Sequence, residues 1–266
     1  PADVFITVDA GRLHRAKVGG VLQAIDSDTL NRAIPENLRD PEGHWYSLSQ
    51  RARPIFYAKA RFDAGTLNRY EQLAEPDLGQ RLCLRGSSAV YNQSLVASMI
   101  VARGAEATEA WIRGIVANQA RKPVGGDTEQ LLALAAGECD LTFVNTYYFG
   151  RMLASDDPQV REAADKIGVI WPNQADRGTH VNVSAAGVTA SARNRDNAIR
   201  LLEFLVEPEA QVWYAEVNNE YPVVPGTQVA ERMQALGDFK ADAVNLKLLG
   251  DYNLDAVTLM DRAGWR

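Results

Sequence analysis

Two cysteines, Cys83 and Cys139, each stand eight residues ahead of a tyrosine, Tyr91 and Tyr147. Each opens a short run that ends near its tyrosine. If the two runs lie side by side as parallel strands, the sulfurs meet at one end and the tyrosines converge at the other. The spacing predicts a Cys83–Cys139 disulfide, and with it an oxidising compartment. The alternative is a pair of buried free thiols, since unpaired cysteine packs as a small hydrophobe. With only two cysteines in the chain there is no CxxC zinc site.

Around these runs, short apolar segments alternate with amphipathic ones, the pattern of an α/β fold. The segments 1–7, 54–58, 81–84, 141–144, 167–171 and 181–190 read as strands, the first of them as a buried one. Helices are expected over 10–19, from Ser88 onward, and over 107–118, 127–136, 197–206, 208–217, 227–237 and 254–263. Ser87 or Ser88 is expected to cap the second of these. Gly125-Gly126-Asp127-Thr128 reads as a capped surface turn, because it lacks the Gly-Lys-Ser/Thr ending of a phosphate loop. The order suggests a central lobe, 57–172, inserted in a first lobe made of 1–56 and 173–266. Crossings near 51–58 and 172–188 would form a two-strand hinge with a ligand cleft between the lobes.

Composition narrows the function classes. The chain has 266 residues, 46% hydrophobic and 23% charged, with a formal net charge of −6 and no basic run. That balance argues against nucleic acid as a partner. No stretch approaches the ~20 apolar residues that span a bilayer, and no signal peptide is visible. His14, His44 and His180 are too scattered for a paired metal motif, and no Gly-x-Ser-x-Gly element is present. An enzyme finds least support, for want of a nucleophile–base set.

Tyr147 and Tyr148 are adjacent, just past the run at 141–144. Neighbours on a strand point to opposite faces, so two adjacent phenols share a target only where the strand has ended. Phenolate is a hard anionic oxygen donor that suits a hard cation. Tyr91, Tyr147 and Tyr148 together would balance one ferric ion. The alternative is three ordinary half-buried aromatics. Beside Tyr91, the backbone N–H groups of Ser87, Ser88 and Ala89, with Arg85 adding charge, form a candidate small-anion site at a helix start. Trp45 and Tyr46 either line a cleft rim or anchor a lobe.

The segments Arg51-Ala-Arg-Pro-Ile-Phe-Tyr57, Tyr91-Asn-Gln-Ser-Leu95, Gly137-Glu-Cys-Asp140, Val144-Asn-Thr-Tyr-Tyr148 and Leu201-Leu-Glu-Phe-Leu205 resemble those of the periplasmic ferric-ion-binding proteins, the substrate-binding components of iron(III) ABC importers. The likeness runs nearly end to end, and the two tyrosine segments are its specific part. It implies a bilobed class II periplasmic-binding-protein fold and Fe(3+) held by Tyr91, Tyr147 and Tyr148, the three-tyrosine subgroup. It also implies carbonate or another small anion near Ser88, with Arg53, Asn145 and Arg12 as further cleft residues. The expected setting is a periplasmic or membrane-tethered monomer that delivers iron to an ABC transporter permease. Two departures stand out. Family members begin with a strand and a helix carrying a His or Tyr ligand, a region absent here, so the resemblance implies an N-terminal truncation. Val8 stands where some members place a ligand glutamate. The second reading keeps the fold but makes the cargo a small organic acid or oxyanion, held by Arg85, Arg53 and the Ser88 helix start.

Overall fold

The computed structural model describes residues 2–266; Pro1, at the head of the expected opening strand and of the first lobe, lies outside them. In chain order the elements are β1 (Val4–Val8), α1 (Ala10–Val18), α2 (Asp28–Ala33), β2 (Tyr46–Ala52), β3 (Ile55–Ala58), α3 (Val90–Arg103), α4 (Ala105–Ala117), α5 (Asp127–Ala136), β4 (Leu141–Phe143), α6 (Thr146–Leu153), α7 (Pro158–Asp165), β5 (Ile167–Ile170), β6 (Val181–Val188), α8 (Arg195–Phe204), α9 (Pro208–Asn218), β7 (Tyr221–Pro222), α10 (Glu231–Gln234), α11 (Lys247–Asp251) and α12 (Asn253–Arg262). Short 3₁₀ turns connect several of them.

Two sheets result. The first runs β1-β6-β2-β7, every pair antiparallel. The second runs β4-β3-β5, with β3 antiparallel to both neighbours. Leu82 bridges Leu141 and Gln119 in parallel and widens that second sheet. The chain passes between the sheets twice, at 53–54 and again over 171–180. This is the bilobed α/β plan expected, with two lobes joined by two strands.

The Leu82–Leu141 bridge is the parallel pairing that the cysteine spacing predicts, and Cys83 and Cys139 form a disulfide with Cα atoms 5.8 Å apart. Both sulfurs are buried.

Three local expectations are corrected. The opening strand is not buried: β1 is an edge strand paired only with β6, and Ile6 is exposed. Neither Ser87 nor Ser88 caps α3. They form a turn one step earlier, which leaves Ala89 at the cap without a side-chain bond. The helix expected over 227–237 shrinks to α10, because Pro225 and Gly226 precede a stretch that packs as irregular chain. Trp45 and Tyr46 are resolved as lobe anchors: both are buried, and the Tyr46 hydroxyl donates to the Ile25 carbonyl at 3.0 Å.

The tail does not stay beside the first sheet. Residues 230–239 reach the second: Met233 lies against Gly150 on α6, and the Trp171 indole stacks on Phe239 and donates to the Leu236 carbonyl at 2.8 Å. Farther on, α12 packs on α3 and α4. Trp265 then meets Phe143 edge-on and donates to the Arg85 carbonyl at 2.9 Å. Apolar burial along these contacts, about 25 cal/mol per Å², ties the tail to both halves.

Candidate metal centre

Tyr91 lies in the first turn of α3, and Tyr147 and Tyr148 lie in the first turn of α6. Each helix follows directly on a segment of the second sheet, and the parallel Leu82–Leu141 bridge sets the two helix starts side by side. Adjacent residues of a helix are separated by about 100°. The two phenols of α6 can therefore share a target, and their ring centroids are 4.3 Å apart. With Tyr91 they line one cavity of about 300 Å³. Its opposite wall comes from the first sheet and the tail: Val8, Arg51, Ser184, Tyr214, Asn218 and Glu220. Val8 and Ser184 are register partners at the end of β1.

The positive charges around the cavity favour anionic oxygen, and burial opposes it. Two helix N-termini supply partial positive charge. Guanidinium groups cover the rings: Arg51 lies 5.7 Å and Arg151 5.1 Å from the Tyr147 centroid, and Arg85 lies 5.5 Å from that of Tyr91. Arg51 pairs with Glu220 at 3.2 Å, and Glu220 also accepts from Ser184 at 3.1 Å and from Ser49. The Nε and Nη1 of buried Arg51 have no protein partner. Burial and then the charge of Tyr91 push the Tyr147 phenol far above its ordinary value. Burial also raises Tyr148. Both are protonated at neutral pH, so a metal must displace their protons. Among the described residues, no three His, Cys, Asp or Glu side chains gather in a way that could hold a metal. The oxygen donors in its lining are Tyr91, Tyr147 and Tyr148 on one side, and Tyr214, Ser184 and the Arg51-paired carboxylate of Glu220 on the other.

Of the other expected site residues, Arg53 and Asn145 are brought in behind the phenols. Asn145 donates from Nδ2 to the Tyr147 hydroxyl at 3.5 Å. Arg85 sits at the Tyr91 ring but pairs with Asp127 at 3.3 Å. Burial opposes its charge, while Asp127 outweighs burial and raises its pKa. Ser87 and Ser88 stay at the turn before α3, where Ser88 is exposed. Ala89 is buried at the start of α3. None of these three lines the cavity. Arg12 is exposed on α1, away from that lining.

Sequence reading missed Asp127, expected in a surface turn. Its carboxylate is buried and accepts from Arg53 and from the Asn145 N–H at 3.0 Å. Arg151 was also missed, although it stands on α6 at the i+4 and i+3 spacing from the two tyrosines, where helical side chains meet. Tyr214 and Glu220 had no linear signal, because the tail's path brings them in.

His180, in the second crossing, is buried with Nδ1 unpaired. Burial first, and then the charges of Arg53 and Arg177, lower its pKa from 6.5 to about 3. Between those values the unfolded chain takes a proton that the folded state refuses. Stability is thus unaffected above pH 6.5 and falls as pH drops from 6.5 toward about 3. His180→Asn should flatten the pH dependence of Tm in that window. Parallel curves for variant and parent would refute the assignment.

A family model described as "Bacterial extracellular solute-binding protein" matches residues 1–241. The chain is 47% identical to "Iron uptake protein A1" of Synechocystis sp., over all of this chain and 74% of that protein. It superposes with a TM-score of 0.98 and 49% identity on the Trichodesmium protein IdiA/FutA in complex with iron and citrate ligands, covering 84% of that chain. A ferric binding protein from Campylobacter jejuni gives a TM-score of 0.95 at 35% identity, again over the whole of this chain and 84% of that one.

Proposed function

The chain belongs to the bacterial extracellular solute-binding protein family, and we propose that it binds ferric iron through the phenolates of Tyr91, Tyr147 and Tyr148. It works outside the cytoplasm as a binding protein, not an enzyme, and hands its cargo to the membrane permease of an ABC-type importer. The single observation that carries the reading is the meeting of these three phenols in one cavity at two helix N-termini, with no carboxylate–histidine cluster among the described residues to compete. Iron uptake and ferric-binding relatives support it. The first lobe is built on the sheet β1-β6-β2-β7 and the second on β4-β3-β5, whose β3 already begins at Ile55 rather than at the expected boundary of 57; the phenols follow the second sheet, so iron docks there before the lobes close. The protein acts as a monomer, on the membrane surface or free in the periplasm.

Three phenolates neutralise a trivalent cation, and a small anion such as carbonate or a citrate carboxylate completes its coordination. The unpaired Nε and Nη1 of Arg51, together with Arg151, which lies over both rings of the pair, supply donors for it. This anion position lies nearer Arg51 than the expected helix start at Ser88.

Titration with ferric citrate at neutral pH should raise a visible phenolate-to-iron charge-transfer band, and a flat spectrum would end the proposal. The raised pKa values of Tyr147 and Tyr148 set the sign of the pH effect. Binding releases protons, so affinity falls with falling pH, with a slope approaching ~3 decades per pH unit when all three phenols ionise. A pH-independent affinity between pH 6 and 8 would contradict phenolate ligation.

A further inference from the structure

Arg53 lies where the chain leaves β2 for β3, and its side chain is 1% exposed. Its Nη1 donates to Asp127 Oδ2 and Asn145 Oδ1, both at 2.9 Å, and its Nη2 donates to Asn92 Oδ1 at 2.7 Å. The three acceptors sit on three separate segments, and each borders a phenol. Asn92 follows Tyr91 directly, and its Nδ2 donates to the Arg85 carbonyl at 2.9 Å. Asn145 reaches the Tyr147 hydroxyl. Asp127 holds Arg85 over the Tyr91 ring. The backbone of Arg53 belongs to the crossings. Its N–H donates to the His180 carbonyl at 3.0 Å, joining the two strands that pass between the lobes. Its carbonyl accepts from the Tyr70 hydroxyl at 2.8 Å.

Three of the five N–H groups of this guanidinium are committed to protein acceptors, the buried Nε has no protein partner, and Arg53 does not line the cavity, so it serves the segments behind the phenols rather than a cargo anion. A planar fork that satisfies three acceptors on three loops fixes their relative positions. Loops fixed in this way fix the residues beside them.

We propose that Arg53 is a positioning residue, which sets the mutual geometry of Tyr91, Tyr147 and Tyr148 from within the interlobe crossing. A rotation of the crossing strands moves the Arg53 backbone, and its side chain passes that motion to the segments that carry the phenols. Lobe closure and the shape of the metal site are linked through one side chain. The inference rests on the ferric reading above.

The test compares the intact protein with Arg53→Lys, Arg53→Gln and Asn145→Ala. Each is titrated with ferric citrate while the charge-transfer band is recorded, and each apo form is melted by circular dichroism. Lysine keeps the charge but cannot reproduce the fork. Arg53→Lys should therefore move the band maximum and weaken iron retention against citrate by roughly 10–100-fold, as loss of a group supporting metal ligands does. Arg53→Gln should do the same or more. Asn145→Ala, which leaves the Arg53–Asp127 pair in place, should shift the band in the same direction with a smaller loss. A purely structural role would lower the apo melting temperature and leave the band where it was. An unshifted band with parental affinity in a folded Arg53 variant overturns the inference. Should both Arg53 variants fail to fold, an unshifted band in Asn145→Ala overturns it. Absence of the band in the intact protein marks failure of the ferric reading itself, and this inference falls with it.

Discussion

The double replacement Tyr147→Phe/Tyr148→Phe is expected to abolish the charge-transfer band and weaken ferric binding by more than about 1,000-fold, roughly 4 kcal/mol. Changes that merely disturb the support of a metal ligand cost about 10–100-fold, and this variant removes two ligands and two negative charges. The cavity would then hold a trivalent cation against one phenolate among guanidinium groups that repel it. The apo protein should melt near the parental temperature, because phenylalanine keeps the ring and its packing. That separation of effects is the check. Loss of binding in a variant that is also unfolded would not support ligation, and retention of tight binding by the folded variant would exclude it. Tyr91→Phe alone should give an intermediate loss, since it leaves the α6 pair.

The second large effect concerns stability. Removing the disulfide by Cys83→Ala/Cys139→Ala should lower unfolding free energy by about 4 kcal/mol, from the loop-closure entropy of a bridge spanning 56 residues. The bridge encloses α3, α4 and α5 and restrains the unfolded chain through all of them. The urea m-value should also rise, because the released chain exposes more surface on unfolding. Iron binding should change little, since the sulfurs lie at the far end of the runs from the phenols. A loss below about 1 kcal/mol would mean that the denatured state is already compact enough for the bridge to constrain nothing.

Much of the plan was legible because it is written in local periodicity. Alternating apolar and amphipathic runs gave the α/β class and the two crossings, and the matched cysteine-to-tyrosine spacing gave the parallel pairing and the bridge. Failures came where a residue's partner is remote in sequence. Asp127 sits after two glycines in what reads as a surface turn. It is buried because Arg53 and Arg85 reach it from two other segments. Arg53 looked like a cleft cation available to an anion, yet it lies outside the cavity lining and donates to three protein acceptors behind the phenols. The serines ahead of α3 looked like caps, and the turn placed them one position short of that task.

By itself the sequence determined which side chains are on offer: adjacent phenols past the end of a strand, a third phenol matched to them by spacing, and no set of thiols or imidazoles to compete. Those are properties of residue type and interval, which survive without coordinates. Only the tertiary structure decided what surrounds the phenols. Glu220, Tyr214 and Ser184 come from the far side of two crossings, and α12 and Trp265 return to brace the segment before Tyr91. Burial and charge pairing are fixed by what folds back from a distance, and they decide which arginine is spent on the scaffold and which is left to face the cargo.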